Sequence, residues 1–268
     1  MAIGGTGPAG YGWDMETRFW VGTSGWHYRH WRGGFYPKDM PTDEWFEFYA
    51  RQFATVELNN SFYRLPKDSA WDLWAEQAPR GFHFAVKASR YITHVKRLNV
   101  ESASIDKLFH GASRLGAHLG PMLYQLPPSF HRTEENVARL ERFLGTLPRG
   151  RGHGGIRPPS AHVFEFRHAS WFVEETFAQL ERADATFCSF DMPGIECPLR
   201  GTNRVLYMRF HGTDGKYGGG YGRERLDRWC DRLREAADGC HDAYVYFNND
   251  IGGHAPRDAA VLQELLRQ

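Results

Sequence analysis

Eight short apolar runs punctuate this chain, and each carries a charged, amide or hydroxyl side chain at or near its end. In order they are FWVGTS (19–24), TVELNN (55–60), HFAVKAS (83–89), PMLYQLP (121–127), HVFEFRH (162–168), ATFCSFD (185–191), RVLYMRFHG (204–212) and DAYVYFNND (242–250). Runs of this length, rich in β-branched and aromatic residues, predict strands. Most are separated by stretches with apolar residues at helical spacing. Trp45, Tyr49 and Phe53 mark the buried side of a helix from about Thr42. Trp71, Trp74 and Ala75 mark a second, with Asp68 as its cap. Ile105, Leu108, Phe109, Ala112 and Leu115 predict a third, ended by Gly116. Val137, Leu140, Phe143, Leu144 and Leu147 follow a cap at Thr133. Further helices are predicted from about Phe172, along Leu226, Trp229, Cys230 and Leu233, and from Pro256 (an N1-type proline) through Leu262, Leu265 and Leu266.

Strand and helix alternating eight times predict the α/β class and a single TIM-like (β/α)8 barrel. The Pro-containing link between the sixth and seventh runs leaves little room for a helix, so an irregular or missing sixth helix is expected there. The expected organisation is a disordered tail over 1–17 and one barrel domain over 18–268, with a mobile Gly/Arg/Pro-rich loop from Pro148 to Pro159.

In such a barrel the C-terminal ends of the strands form the working face, so the polar strand ends become the candidate site. Strand side chains alternate between two faces. Glu57 and Asn59 therefore share a face, as do Glu165 and Arg167, and Tyr207, Arg209 and His211. The large apolar residues between them can face the helices, which turns the polar set inward. Lys87 with Ala85, and Asp191 with Ser189 and Phe187, fit the same scheme. The expected catalytic set is Glu57, Lys87, Glu165, Asp191 and His211. The expected binding set is Ser24, Asn59, Tyr63, Arg64, His94, Gln125, Arg167, Arg209, Asn248 and Asn249. Unpaired buried charge is expensive, and structural pairs such as Glu57 with Lys87 and Glu165 with Arg209 are the plain alternative.

Composition narrows this picture modestly. At 41% hydrophobic and 24% charged, with net charge +1, the chain has no global bias toward nucleic acid or membrane. The aromatic share of 15% is high, and Trp26, Tyr28, Trp31, Tyr36, Tyr63, Tyr217 and Tyr221 fall in predicted loops, where packing over the barrel ends is the favoured role. The four cysteines show no metal spacing, and Cys188 and Cys230 read as small buried hydrophobes. No secretory signal or membrane-length apolar run is evident, so a cytoplasmic protein without membrane contact is expected.

The chain resembles the DUF72 family, YecE-like proteins of undefined biochemical activity. The resemblance rests on VGTSGWHYRHWRGGFYP (21–37), FATVELNNSFYRLP (53–66), FAVKASRYITHVKRL (84–98), LGPMLYQLPPSF (119–130), FEFRHASWF (164–172), YMRFHG (207–212) and VYFNND (245–250). It implies a TIM-like barrel and no established reaction.

Three functions compete. The preferred one is a hydrolase acting on a phosphorylated or otherwise anionic, even nucleic-acid-derived, substrate. Arg64, Lys87, Arg90, His94, Lys96, Arg167, His168, Arg209 and His211 would draw in the anion, with Glu165 or Glu57 as base and His211 or His94 as acid. A glycoside hydrolase using Glu57 and Glu165 is the second. A non-catalytic binder of small anions or nucleic acid is the third, with NNSFYR and YITHVKR as its basic and aromatic segments. Lys87 could also act as a Schiff-base nucleophile, although a counter-ion to Glu57 is the plainer role. No cofactor is predicted; HxH and HExxH motifs are lacking, and a divalent metal is left open.

Overall fold

The computed structural model describes residues 16–150, 157–214 and 217–268. Most of the expected 1–17 tail, the centre of the 148–159 loop, and Lys216 lie outside the described residues. Eight parallel strands form one sheet in the order β1-β8-β7-β6-β5-β4-β3-β2. They are β1 (Arg18–Thr23), β2 (Thr55–Leu58), β3 (His83–Lys87), β4 (Leu119–Gln125), β5 (His162–Glu165), β6 (Ala185–Asp191), β7 (Val205–Phe210) and β8 (Asp242–Phe247). The helices are α1 (Trp45–Gln52), the single turn α2 (Asn60–Tyr63), α3 (Asp68–Gln77), α4 (Ser102–Ser113), α5 (Glu134–Thr146), α6 (Glu174–Arg182), α7 (Gly222–Ala236) and α8 (His254–Leu265). No helix joins β6 to β7; the chain there makes two isolated bridges, Met192 with Ile195 and Thr202 with Val205. This is the TIM-like barrel with the missing sixth helix.

The sheet closes between β1 and β2 by an unusual seam. Ser24 and Glu57 form an isolated parallel bridge. Below it, the buried Tyr49 hydroxyl on α1 accepts from the Thr23 amide (2.9 Å) and donates to the Thr55 carbonyl (3.0 Å). One phenol thus joins the two strands where ladder bonds would stand. The approach is close enough that a side chain at Gly22 would place its Cβ 2.2 Å from the Thr55 carbonyl oxygen, so only glycine fits.

Apolar stripes of the helices pack outside the barrel as their spacing predicts. Trp45, Tyr49 and Phe53 are buried, as are Ile105, Leu108, Phe109 and Ala112, and Leu226, Cys230 and Leu233. Thr133 caps α5 by accepting from the Asn136 amide. Several local expectations need correction. Asp68 is the first helical residue and Lys67 occupies the cap position without a side-chain bond. The helix before Gly116 already ends at Ser113, and Gly116 opens a short 3-10 turn. Pro256 is the third residue of α8, which starts at His254 after the left-handed Gly253. An amide there would lack an intrahelical partner in any case, so proline is tolerated. The strands after β1 mostly stop short of their polar ends, leaving Asn59, Arg167, His211 and Asn248 on the first loop residues.

Strand β6 reverses the expected parity. Cys188 packs inside with Ala85, Leu123, Val163, Tyr207, Tyr244 and Tyr246, while Phe187 joins the outer core between sheet and helices. Both faces of ATFCSFD are compatible with burial, so alternation alone could not choose between them.

Candidate functional site

The barrel interior is layered. Its floor is aromatic: Trp20 stacks on His83 with centroids 4.1 Å apart, His83 Nδ1 meets the Tyr244 hydroxyl at 3.1 Å, and the Tyr246 hydroxyl bonds Thr55 Oγ1 at 2.6 Å. Burial holds the His83 imidazole below its ordinary range. The floor therefore contributes hydrogen-bonded rings and no charge.

Above it lies an ion cluster sealed from solvent. Arg209, projecting from β7, is 0% exposed, and so are Glu57 and Glu165. Its guanidinium donates to both carboxylates, Nη2 to Glu57 Oε1 and Nη1 to Glu165 Oε2, each at 2.7 Å. Glu57 also accepts from Ser24 Oγ (2.7 Å) and the Tyr207 hydroxyl (2.8 Å). Glu165 also accepts from Arg167 Nε. Two carboxylates facing two guanidiniums leave the cluster neutral, as burial demands. Burial pushes the Glu165 carboxyl upward, but Arg167 and then Arg209 outweigh it and hold the acid well below its usual range.

Over this cluster sits a layer of nitrogen-bearing groups around the mouth. Arg167 spans the two layers; its Nη2 donates to His211 Nε2 at 2.9 Å, and its guanidinium carbon lies 4.9 Å from the Phe190 ring centroid. A guanidinium has no acceptor, so His211 is protonated on Nδ1 and donates to the side chain of Asn248, 3.1 Å away, whose carbonyl oxygen must face it. Burial, then Arg167 and Arg209, keep His211 neutral. Lys87 Nζ makes no hydrogen bond or ion pair among the described residues. It lies 4.4 Å from the centroid of Phe62, on α2. Burial, then Arg209, bring its ammonium down from 10.5 to about 7, against the pull of Glu165 and Glu57. His94 rests edge-on against the same Phe62 ring at 5.0 Å and contacts Thr93 Oγ1 through Nδ1. It sits on a wide helical turn, Tyr91–Val95, and burial together with Lys87 and Arg90 brings it down to about 4. Gln125 and Asn59 complete the layer, each half-buried.

The structure therefore brings together Ser24, Glu57, Lys87, Gln125, Glu165, Arg167, Arg209, His211 and Asn248, with His94 and Asn59 beside them. Four predicted residues fall elsewhere. Asp191 points outward, as the parity of β6 requires, and accepts from the Tyr221 hydroxyl (2.7 Å) with Arg225 nearby. Asn249 turns away from the interior to Asp258 of α8 and the Gly219 carbonyl. Tyr63 and Arg64 lie on the outer rim, Tyr63 being 81% exposed. The expected Glu57–Lys87 pair is replaced by Glu57–Arg209, because Arg209 alone can bridge both acids bidentately. Phe62 and Tyr207 were not singled out as site residues; the only trace of Phe62 in the sequence is an aromatic beside a polar strand end. Of the loop aromatics, Trp31 and Tyr36 are buried as packing residues.

Among the described residues, no group of three or more His, Cys, Asp or Glu side chains could hold a metal ion. No helix of the described residues is long and apolar enough to cross a membrane. A cavity of about 1030 Å³ opens at the opposite end of the barrel, between Arg18, Trp20, Arg234 and Gln268, remote from this chemistry.

Comparison with known proteins agrees with the barrel. The chain is 27% identical to the UPF0759 protein YunF of Bacillus subtilis (strain 168), over 92% of this chain and 94% of that protein. It superposes on the crystal structure of a DUF72 family protein, TM1631 of Thermotoga maritima, with a TM-score of 0.83 and 26% identity, covering 94% of this chain and all of the other. A second DUF72 structure, EF0366 of Enterococcus faecalis V583, gives 0.80 at 18% identity, covering 93% and 96%, and supports the fold alone. The profile described as "Protein of unknown function DUF72" matches residues 20–268, so the polar-mouthed barrel described above belongs to the DUF72 family.

Proposed function

We propose that the mouth is the active site of a hydrolase acting on a phosphorylated or otherwise anionic substrate. The observation that supports this reading is the layering. Both interior carboxylates are sealed and engaged by guanidinium donors, while the side chains above them present nitrogen: Arg167, Lys87, His94, His211, Gln125 and Asn248. Arg64, Arg90 and Lys96 extend the positive character outward on exposed loops. An anion is the ligand such a surface recognises, with Arg167 able to grip it through its planar fork.

The roles shift accordingly. Glu57 and Glu165 are sealed beneath the mouth and engaged by guanidinium donors, so they orient Arg209 and Arg167 rather than meet a substrate as general base. His94 and His211 are neutral at physiological pH and so cannot serve as the acid. The group poised near neutrality is Lys87, whose free amine can take a proton from attacking water. The glycosidase reading loses ground for the same reason: the Arg209 guanidinium fills the space between the two acids where a glycosidic bond would have to lie.

The test is a panel of phosphomonoesters, phosphodiesters and aryl glycosides, assayed with and without divalent metal, alongside calorimetric titration with inorganic phosphate. Phosphate binding that weakens at least tenfold in Arg167→Gln, together with phosphoester turnover lost in Lys87→Met, is the expected result. Glycoside turnover, or phosphate affinity unchanged by Arg167→Gln, would overturn the reading.

A further inference from the structure

This chain carries six lysines, and among the described residues Lys87 alone of them is buried inside the barrel. Every other cation facing the interior is arginine, which no protein environment deprotonates. Lysine at this position is the one choice that can offer a free electron pair. Its surroundings fit that use: Nζ has no anion within ion-pair distance, since Glu57 and Glu165 are already engaged by Arg209 and Arg167. The charged and titratable groups that face it are Arg209 from β7, Glu165 on β5 and Arg167 just after it, Glu57 from β2, and His94 from the turn after β3. Phe62 covers one side with an apolar ring. The residue keeps 9% of its surface exposed.

We infer that Lys87 condenses through Nζ with the carbonyl carbon of a small aldehyde or ketone, forming an iminium at the barrel mouth. The preference for a carbonyl compound that also bears a carboxylate or phosphoryl group rests on the anion-binding reading above; the condensation itself rests on Lys87 alone. The nitrogen lone pair attacks the carbonyl carbon, the C=O π pair moves to oxygen, and that oxygen gains a proton. The resulting carbinolamine loses its hydroxyl with a further proton as water while nitrogen forms the C=N bond. One neutral amine, one carbonyl and one proton give one iminium cation and one water, with no change of oxidation state. The iminium then withdraws electrons from an adjacent C–H or C–C bond, a lyase- or isomerase-type step in which the amine acts as nucleophile, separate from the hydrolysis in which it would act as base.

The experiment is reductive trapping of the intact protein with sodium cyanoborohydride, using pyruvate as the anionic probe and hydroxyacetone as its neutral counterpart, followed by peptide mapping of all six lysines. At neutral pH an amine near 7 holds roughly a thousandfold more free base than an ordinary lysine, and its lower intrinsic reactivity leaves a preference on the order of a hundredfold. Lys87 should therefore be modified roughly a hundredfold faster than the surface lysines, with a rate that levels off above about pH 7. Lys87→Arg and Lys87→Met should both lose the adduct while still melting cooperatively. Equal modification by both probes would keep the iminium and remove the anion preference. Modification of Lys87 no faster than that of surface lysines by either probe would overturn the inference, whatever phosphate titration shows.

Discussion

Replacing Lys87 with methionine should stabilise the protein, and the gain should depend on pH in a defined window. The substitution keeps an unbranched stem of similar length and removes the ammonium. In the folded chain that ammonium titrates at about 7, against 10.5 when unperturbed, mainly because it is buried and secondly because Arg209 is near. A displacement of that size corresponds to ~5 kcal/mol of penalty on the charged form, and relaxation around a buried ion brings the expected gain to ~2–4 kcal/mol. Below about pH 7 both folded and unfolded chains hold the proton and the penalty is fully present. Between about 7 and 10.5 the folded chain has released the proton and the unfolded chain has not, so wild-type stability climbs with pH. Lys87→Met lacks that climb. Urea unfolding of both proteins at steps from about pH 6 to 10 isolates the effect, because every other titration cancels in the difference. The variant should lead by ~2–4 kcal/mol at the acid end, a melting rise on the order of 4–12 °C for a chain of this size, and the lead should vanish by the alkaline end. Parallel stability curves would refute the claim that Lys87 is a desolvated, unpaired amine.

Three further outcomes are expected. Arg209→Met should destabilise by ~3–5 kcal/mol in urea unfolding, since it strands two buried carboxylates, whereas an exposed ion pair such as Arg51–Glu47 should contribute ~0.5 kcal/mol or less. Glu165→Gln should lower stability near neutral pH and flatten the acid limb: the wild-type acid is held below its ordinary value, so its contribution is present above about pH 4.5 and is lost as pH falls further, which a urea-midpoint series will show. Tyr49→Phe should cost ~1–3 kcal/mol and accelerate amide exchange at Thr23, because the β1–β2 seam loses the hydroxyl that serves the Thr23 amide and the Thr55 carbonyl together.

Much of the site was legible as a pattern. Alternation along β2, β5 and β7 placed Glu57, Glu165, Arg167, Arg209 and His211 on one face, and the structure brings these residues together. The method failed where both faces of a strand are equally apolar. In β6, Phe187 and Cys188 are alike in burial preference, and the parity taken from the sequence turned Asp191 inward when it points to Tyr221. Asn249 failed similarly, one residue past the inward Asn248, because the chain bends there into α8.

The sequence by itself determined the alternation of elements, the gap where a sixth helix would stand, and which strands end in polar groups, because those follow from periodicity and local turn chemistry. Only the tertiary structure decided who pairs with whom. The sequence suggested Glu57 with Lys87 and Glu165 with Arg209, and the actual pairing depends on which cation can reach two buried acids at once. Arg209 can, through a planar fork that satisfies both, and that choice leaves Lys87 without a counter-ion. Burial and pairing are properties of neighbours distant in the chain, and they leave Lys87 a buried amine without a counter-ion among the described residues.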